Sequence, residues 1–202
     1  DKSKELFDWY KDHEHDKGVY IAHVNQIGEA TLNAYGINSA ILKPFDVLIA
    51  SPSYLKEIGV SLTDDQVKKA ESGTRIYLVP RSYSEEQKSL LRELVARSDK
   101  IFESNIVTTY MQNPSSEFIE YDASGGFFTW STSIDSPSIS INVVIKVVTS
   151  ENMVPSESES LVATGLDNSY IKLSYLPQSL CTYFCLYFKG TPTHTHIAPL
   201  PP

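Results

Sequence analysis

Cysteine is nearly absent from this 202-residue sequence. Its only two, Cys181 and Cys185, lie in the last segment, so residues 1–180 form neither a disulfide nor a thiolate metal site and folding there rests on a core. Basic residues are scarce beside acidic ones: 17 Lys plus Arg against 25 Asp plus Glu, a net charge of −8. That balance repels phosphate backbones and argues against nucleic acid as a partner. No run approaches the roughly 20 apolar residues that cross a bilayer, and no basic-then-apolar leader opens the sequence. The phosphate cradles Gly-x-Gly-x-x-Gly and Gly-x-x-x-x-Gly-Lys-Ser/Thr are missing, so nucleotide binding lacks its usual helix-terminus site. No Asn-x-Ser/Thr acceptor occurs either, which leaves the compartment open.

What is present is ordinary globular composition, 41% hydrophobic and 21% charged. Leu6, Trp9, Tyr10 and His13 fall at helical spacing among charges, predicting an amphipathic helix over 2–17 that Gly18 stops. Residues 19–24 are β-branched and aromatic and predict a strand, whereas 27–40 fit a short helix or a loop equally well. The apolar run 45–50, closed by Ser51-Pro52-Ser53, predicts a strand covered on both faces. Thr63 with Gln66 and Ser84 with Gln87 are spaced as capping boxes, opening helices over 64–72 and up to about 98, with a strand at 74–79 between them. Leu90, Leu91, Leu94 and Val95 supply the second helix with an apolar stripe, and Glu93 and Arg97 pair on its surface.

Strands alternating with helices over 45–98 predict an α/β fold with a parallel β-α-β-α core and flanking helices. The second half changes towards α+β. Phe118–Tyr121, Gly125-Gly126 and Phe127–Thr132 read as an antiparallel hairpin, 139–149 is strand-rich, and Ser156 with Glu159 caps a short helix to 165 before a strand near 170–173. The whole is expected to be a mixed sheet in one domain, 1–174. After Ser174 a single charge, Lys189, accompanies both cysteines, two histidines and five prolines. Residues 175–202 are therefore set apart as a cloning artefact, a reading-frame change or an unstructured tail.

Three stretches carry a resemblance: Asp46-Val-Leu-Ile-Ala-Ser-Pro-Ser-Tyr-Leu within 45–80, Gly125-Gly-Phe-Phe-Thr-Trp-Ser-Thr, and Val147-Val-Thr-Ser-Glu-Asn-Met. Together they resemble the bacteriocin-associated integral membrane proteins of Gram-positive bacteria, over about residues 18–174. That family is similar to permease subunits of ABC exporters. The resemblance implies several transmembrane helices outside this segment, a large domain on the extracytoplasmic face of the cell membrane between the first two, and a role in bacteriocin immunity or export. It implies as partner a bacteriocin or a transporter subunit, and it brings no catalytic residue, metal or cofactor. The tail departs from it, because Leu180–Phe188 is too short and too polar for the membrane helix that would follow.

Cys181, Cys185, His194 and His196 are the residue types of a zinc site, but His-x-His and the thiol spacing depart from the common zinc patterns. His13 and His15, two apart on a helix, would face opposite ways. Ser124 precedes Gly125 without an evident base, and the serines are read as standing in neither Gly-x-Ser-x-Gly nor Ser-x-x-Lys, so no metal, cofactor or catalytic residue is assigned. Phe128 and Trp130 share one strand face and Phe127 takes the other, so at least one face is expected in the core and an exposed one would bind a partner. The expected function is a non-catalytic interaction domain. The alternatives are a ligand-binding receptor domain and a small α/β hydrolase with Ser51, Ser53 and Arg81 at the carboxyl ends of parallel strands.

Overall fold

The computed structural model describes residues 2–105, 115–123, 126–128, 139–140, 142–153 and 170–173. In chain order these form α1 (Lys2–His13), β1 (Val19–Ile27), α2 (Glu29–Ala34), β2 (Phe45–Ala50), α3 (Pro52–Glu57), α4 (Asp64–Glu71), β3 (Arg75–Pro80), α5 (Glu85–Asn105), β4 (Ser116–Tyr121), β5 (Phe127–Phe128), β6 (Ile139–Ser140), β7 (Val144–Val147) and β8 (Ile171–Leu173). Six strands make one mixed sheet in the order β4-β3-β7-β2-β1-β8, and β5 pairs with β6 apart from it. The α/β class with a mixed sheet and flanking helices is as the sequence predicts.

Strand alternation sorts the core into layers. Leu48, Ala50, Ile76, Leu78, Ile145 and Val147 pack with Tyr54 and Leu55 of α3 and Ala70 of α4 on one face. On the other, Ile21 and Ile49 meet Trp9 and Tyr10 of α1, while Tyr77, Val79 and Val144 meet Leu91 and Leu94 of α5. The expected stripe of α5 is thus its buried face, with Leu90 and Val95 at its margin. Burying each such leucine contributes about 2 kcal/mol. Both capping boxes form: Thr63 N–H donates to Gln66 at 2.9 Å and Gln66 N–H to Thr63 at 3.2 Å, and Ser84 and Gln87 repeat the pattern at 2.9 and 3.2 Å. α5 runs on to Asn105, beyond the expected end near 98, through a stretch with no Gly or Pro to stop it.

Two expectations about pairing are corrected. The strands at 45–50 and 75–80 are not parallel neighbours, because β7 lies between them, parallel to β2 and antiparallel to β3. Two helices, α3 and α4, separate β2 from β3. The chain therefore reverses once more than in a single-helix crossover and enters β3 in the opposite direction. The parallel β-α-β unit is instead β3-α5-β4, paired from Arg75↔Ser116 to Pro80↔Tyr121. Among the described residues the expected hairpin of 118–121 with 127–132 is not formed: β4 pairs with β3, and Phe127 and Phe128 pair with Ser140 and Ile139. The ambiguous segment 27–40 contains the short α2. The expected helix at 156–165 and the tail 175–202 lie outside the described residues.

Gly36 ends the turn after α2 at φ +68°, a region that side chains with a Cβ avoid. A Cβ there would lie 2.6 Å from Arg97 Nη1, and that guanidinium cannot swing away freely, since it donates to the Tyr35 carbonyl and pairs with Glu93. Gly36→Ala is expected to destabilise the fold by about 1–3 kcal/mol in urea unfolding; an unchanged midpoint would show that the turn relaxes at no cost.

His23 on β1 stacks on Tyr170 beside β8, ring centroids 4.2 Å apart, and contacts Asn25 Oδ1 at 3.0 Å. Burial, offset in part by Asn25 and reinforced by Lys172, pushes its pKa below the ordinary 6.5. The folded state thus favours neutral His23. Its stabilising share is complete above 6.5 and is lost as pH falls from there through the lowered folded value. Wild type should lose more stability than His23→Gln between pH 7.5 and 5; parallel pH profiles would refute this.

Candidate functional site

The direction of the strands decides which candidate residues meet. β2 and β7 deliver their carboxyl ends to one end of the sheet, and β3 and β4 deliver theirs to the other. Ser51 and Ser53 follow β2 while Arg81 follows β3, so the three residues expected at a common ligand edge stand at opposite ends. Ser51 is 2% exposed. Its hydroxyl accepts from Ile21 N–H at 3.0 Å and, as N-cap of α3, from Tyr54 N–H at 3.3 Å. Ser53 lies 2.9 Å from Ser51 Oγ and donates to the Val19 carbonyl at 3.1 Å. Both hydroxyls tie α3 to β1.

Sequence reasoning missed α3, whose start is signalled by Ser51 at the N-cap and Pro52 in the first turn. Contrary to the expectation that no serine stands in Ser-x-x-Lys, Ser53-Tyr54-Leu55-Lys56 has that spacing, which in some acyltransferases joins nucleophile and base. Here Lys56 is exposed, and among the described residues the Ser53 hydroxyl bonds to Ser51 and Val19 rather than to Lys56.

The same end of the sheet is sealed by residues 149–153, part of the third stretch of the resemblance. Asn152 is fully buried. Its amide donates to the Val147 and Thr74 carbonyls, each at 3.0 Å, and its oxygen accepts from Thr149 N–H at 2.7 Å. Thr149 donates to the Ala70 carbonyl at 2.9 Å, the C-terminal end of α4. The Glu14 carboxylate takes Ser150 N–H at 2.9 Å and Ser150 Oγ–H at 2.5 Å, and Lys11 pairs with Glu151 at 2.7 Å. The Lys11 ammonium is held above its ordinary range by that bond to Glu151. Tyr10 lies beneath, its phenol pushed well up by burial and then by the charge of Glu14.

The histidine pair divides here as well. α1 closes at His13, so His15 follows in a turn instead of on the helix. His13 stacks on Trp9 at 4.7 Å and donates from Nδ1 to the Trp9 carbonyl at 2.7 Å. His15 faces Glu71 at 3.7 Å.

The opposite end, where β3 exits and β2 and β7 begin, is concave. A cleft of about 330 Å³ opens between residues 42–46, Tyr83, Gln87 and Asn142. Gln87 fixes its floor, because the side chain that caps α5 also donates to the Ile41 carbonyl at 3.2 Å. Tyr83 is half-buried in the wall, its phenol pushed up to about 12 by burial and then by Asp46. Beside it, Lys88 reaches Glu120 at 2.5 Å and Glu85 at 2.8 Å. The bond to Glu120 holds the Lys88 ammonium above its usual range and the Glu120 carboxyl below its own. Tyr121 donates to the Val143 carbonyl at 2.5 Å and joins β4 to the segment before β7.

Of the expected aromatic surface, Phe127 is 7% exposed and packs in the core against Tyr121, ring centroids 6.2 Å apart. It is the core-facing side of the run. Phe128 is described only as backbone in β5, and Trp130, Ser124 and the set Cys181, Cys185, His194 and His196 lie outside the described residues. Among the described residues no helix is long and apolar enough to cross a membrane. No family model, curated protein or solved structure matches the chain.

Asn152→Ala removes the partner of one buried N–H and two carbonyls. The expected loss is about 3 kcal/mol in urea unfolding; a loss below about 1 kcal/mol would mean the turn is satisfied in another way.

Proposed function

We propose that this chain is a non-catalytic interaction domain on the extracytoplasmic face of a bacteriocin-associated, ABC-permease-like membrane protein, concerned with immunity or export. The membrane helices belong outside the described residues, and the partner is a bacteriocin or a transporter subunit. The observation that carries the reading is the commitment of Ser51: the hydroxyl at a strand's carboxyl end is buried and accepts two backbone N–H groups. A nucleophile requires instead an accessible oxygen beside a base. The polar residues of the first and third stretches of the resemblance do the same kind of work, holding α1, α3 and α4 to the sheet. A rigid scaffold of that kind suits contact through its surface, with Phe128 and Trp130 as the proposed contact residues.

The ligand-binding reading draws on a separate observation, the cleft at the exit of β3, since open α/β sheets place ligands outside strand carboxyl ends. Titration calorimetry of the purified domain against the bacteriocin and the transporter subunit encoded with it should give saturable heat with one of them. Two flat titrations overturn the interaction reading. A fluorophosphonate probe should leave Ser51 and Ser53 unlabelled by mass spectrometry, and labelling of either would reinstate the hydrolase.

A further inference from the structure

We propose that the cleft beside the first turn of α5 binds a small zwitterion of amino-acid or dipeptide size. The volume, about 330 Å³, falls at the low end of small-ligand pockets, which run from roughly 300 to 1,000 Å³. Its position follows from the topology. The cleft lies where β3 runs out and β7 starts, at the boundary between oppositely directed strands, and Tyr83 of the β3–α5 turn and Gln87 of the first turn of α5 line it. Open sheets bind ligands at such reversals, because diverging connections leave a crevice.

The lining supplies both signs of charge within one short segment. Lys43 is exposed and forms no ion pair among the described residues, so its ammonium is free to take a carboxylate. Asp46 is already engaged in the fold, yet a carboxylate has two oxygens and accepts several donors. Tyr83 lines the same cleft within reach of the Asp46 charge, and its hydroxyl bonds to none of the described residues. Because burial and Asp46 keep that phenol protonated up to about 12, it offers a donor as well as an acceptor at any physiological pH. The ligand ammonium is assigned to Asp46 and Tyr83 and its carboxylate to Lys43, all three of which line the cleft.

The site is also built before a ligand arrives. Gln87 is held at both ends of its amide, by Ser84 N–H at 2.9 Å and by the Ile41 carbonyl at 3.2 Å, which locks the loop leading into 42–46 against α5. Asn142, on the rim, holds φ +50°, a left-handed conformation that non-glycine residues adopt rarely and that asparagine tolerates best. Preorganisation of this kind lowers the ordering cost of binding.

The test uses the full 202-residue chain, labelled with ¹⁵N and titrated with L-alanyl-L-alanine, with acetate and methylamine as probes of single charge. Saturable amide shifts confined to 42–46, 83–87 and 142 are expected with the dipeptide and only weak ones with either control. Lys43→Gln and Asp46→Asn should each weaken the affinity about tenfold, one charged hydrogen bond apiece, and Tyr83→Phe, which keeps the ring, should weaken it less. No shifts, equal shifts with acetate alone, or variants that bind as wild type would each overturn the proposal. The outcome is separable from the calorimetry above, because the dipeptide and the protein partners are titrated separately and either can bind without the other.

Discussion

The fold depends on the turn that follows β7. This strand is the middle of the sheet, parallel to β2 and antiparallel to β3, and its residues are buried on both faces. A strand so enclosed must emit its chain into a region where backbone polar groups have no water, and each unpaired group there costs about 1–3 kcal/mol. Asn152 resolves this by reaching back across the turn it belongs to. One side chain satisfies the emerging Thr149 N–H, the last carbonyl of β7 and the carbonyl just before β3. Thr149 and Ser150 then extend the same network to the end of α4 and to the residue after α1. The helices on both faces are thereby indexed to a single point on the central strand.

That arrangement divides the molecule into a sealed end and an open one. At the sealed end, Ser51, Ser53, Thr149, Ser150 and Asn152 are all spent on joining elements, and Lys11 of α1 and Glu14 just after it bond to the turn. At the open end Gln87, which joins α5 to the Ile41 carbonyl, lines a concavity rather than filling it. The asymmetry follows from strand direction. Had β3 run parallel to β2, the carboxyl ends of β2, β3 and β7 would have faced one way and the polar residues after them would have converged. The extra helix in the β2–β3 connection separates them instead.

What could be read in the sequence was local. Thr63 with Gln66 and Ser84 with Gln87 declare their helix starts within four residues, and the apolar runs at 45–50 and 75–80 declare buried strands, because both signals depend only on near neighbours. What escaped depends on distant partners. Nothing near 75–80 tells the strand that β7, some seventy residues later, will lie beside it in the opposite direction. Nothing in Phe127-Phe128 distinguishes pairing with 118–121 from pairing with 139–140. Asn152 carries no local signal of its role, because one of its partners, Thr74, lies 78 residues away in sequence. α3 is the exception, since Ser51 as N-cap and Pro52 at the first helical position are a local helix start as well as a strand's end. The cleft was illegible for the same long-range reason: Lys43, Tyr83 and Asn142 come from three separate segments.

Gln87 shows how closely the two kinds of information are bound together. As half of a capping box it is a local device worth about 1 kcal/mol to α5, and any helix former with an amide or carboxylate of similar reach would serve. As the anchor of the Ile41 carbonyl it is a tertiary device, and here only the amide serves, because the bond to Ile41 needs a donor while the cap needs an acceptor. A glutamate in its place would keep the cap and lose the anchor. The floor of the cleft is therefore coupled to the start of the longest helix, and change at Gln87 is felt in folding before it is felt in binding. Diversification of this site would have to proceed through the rim, at Lys43, Asp46, Tyr83 and Asn142, where side chains shape the opening without carrying the helix that supports it.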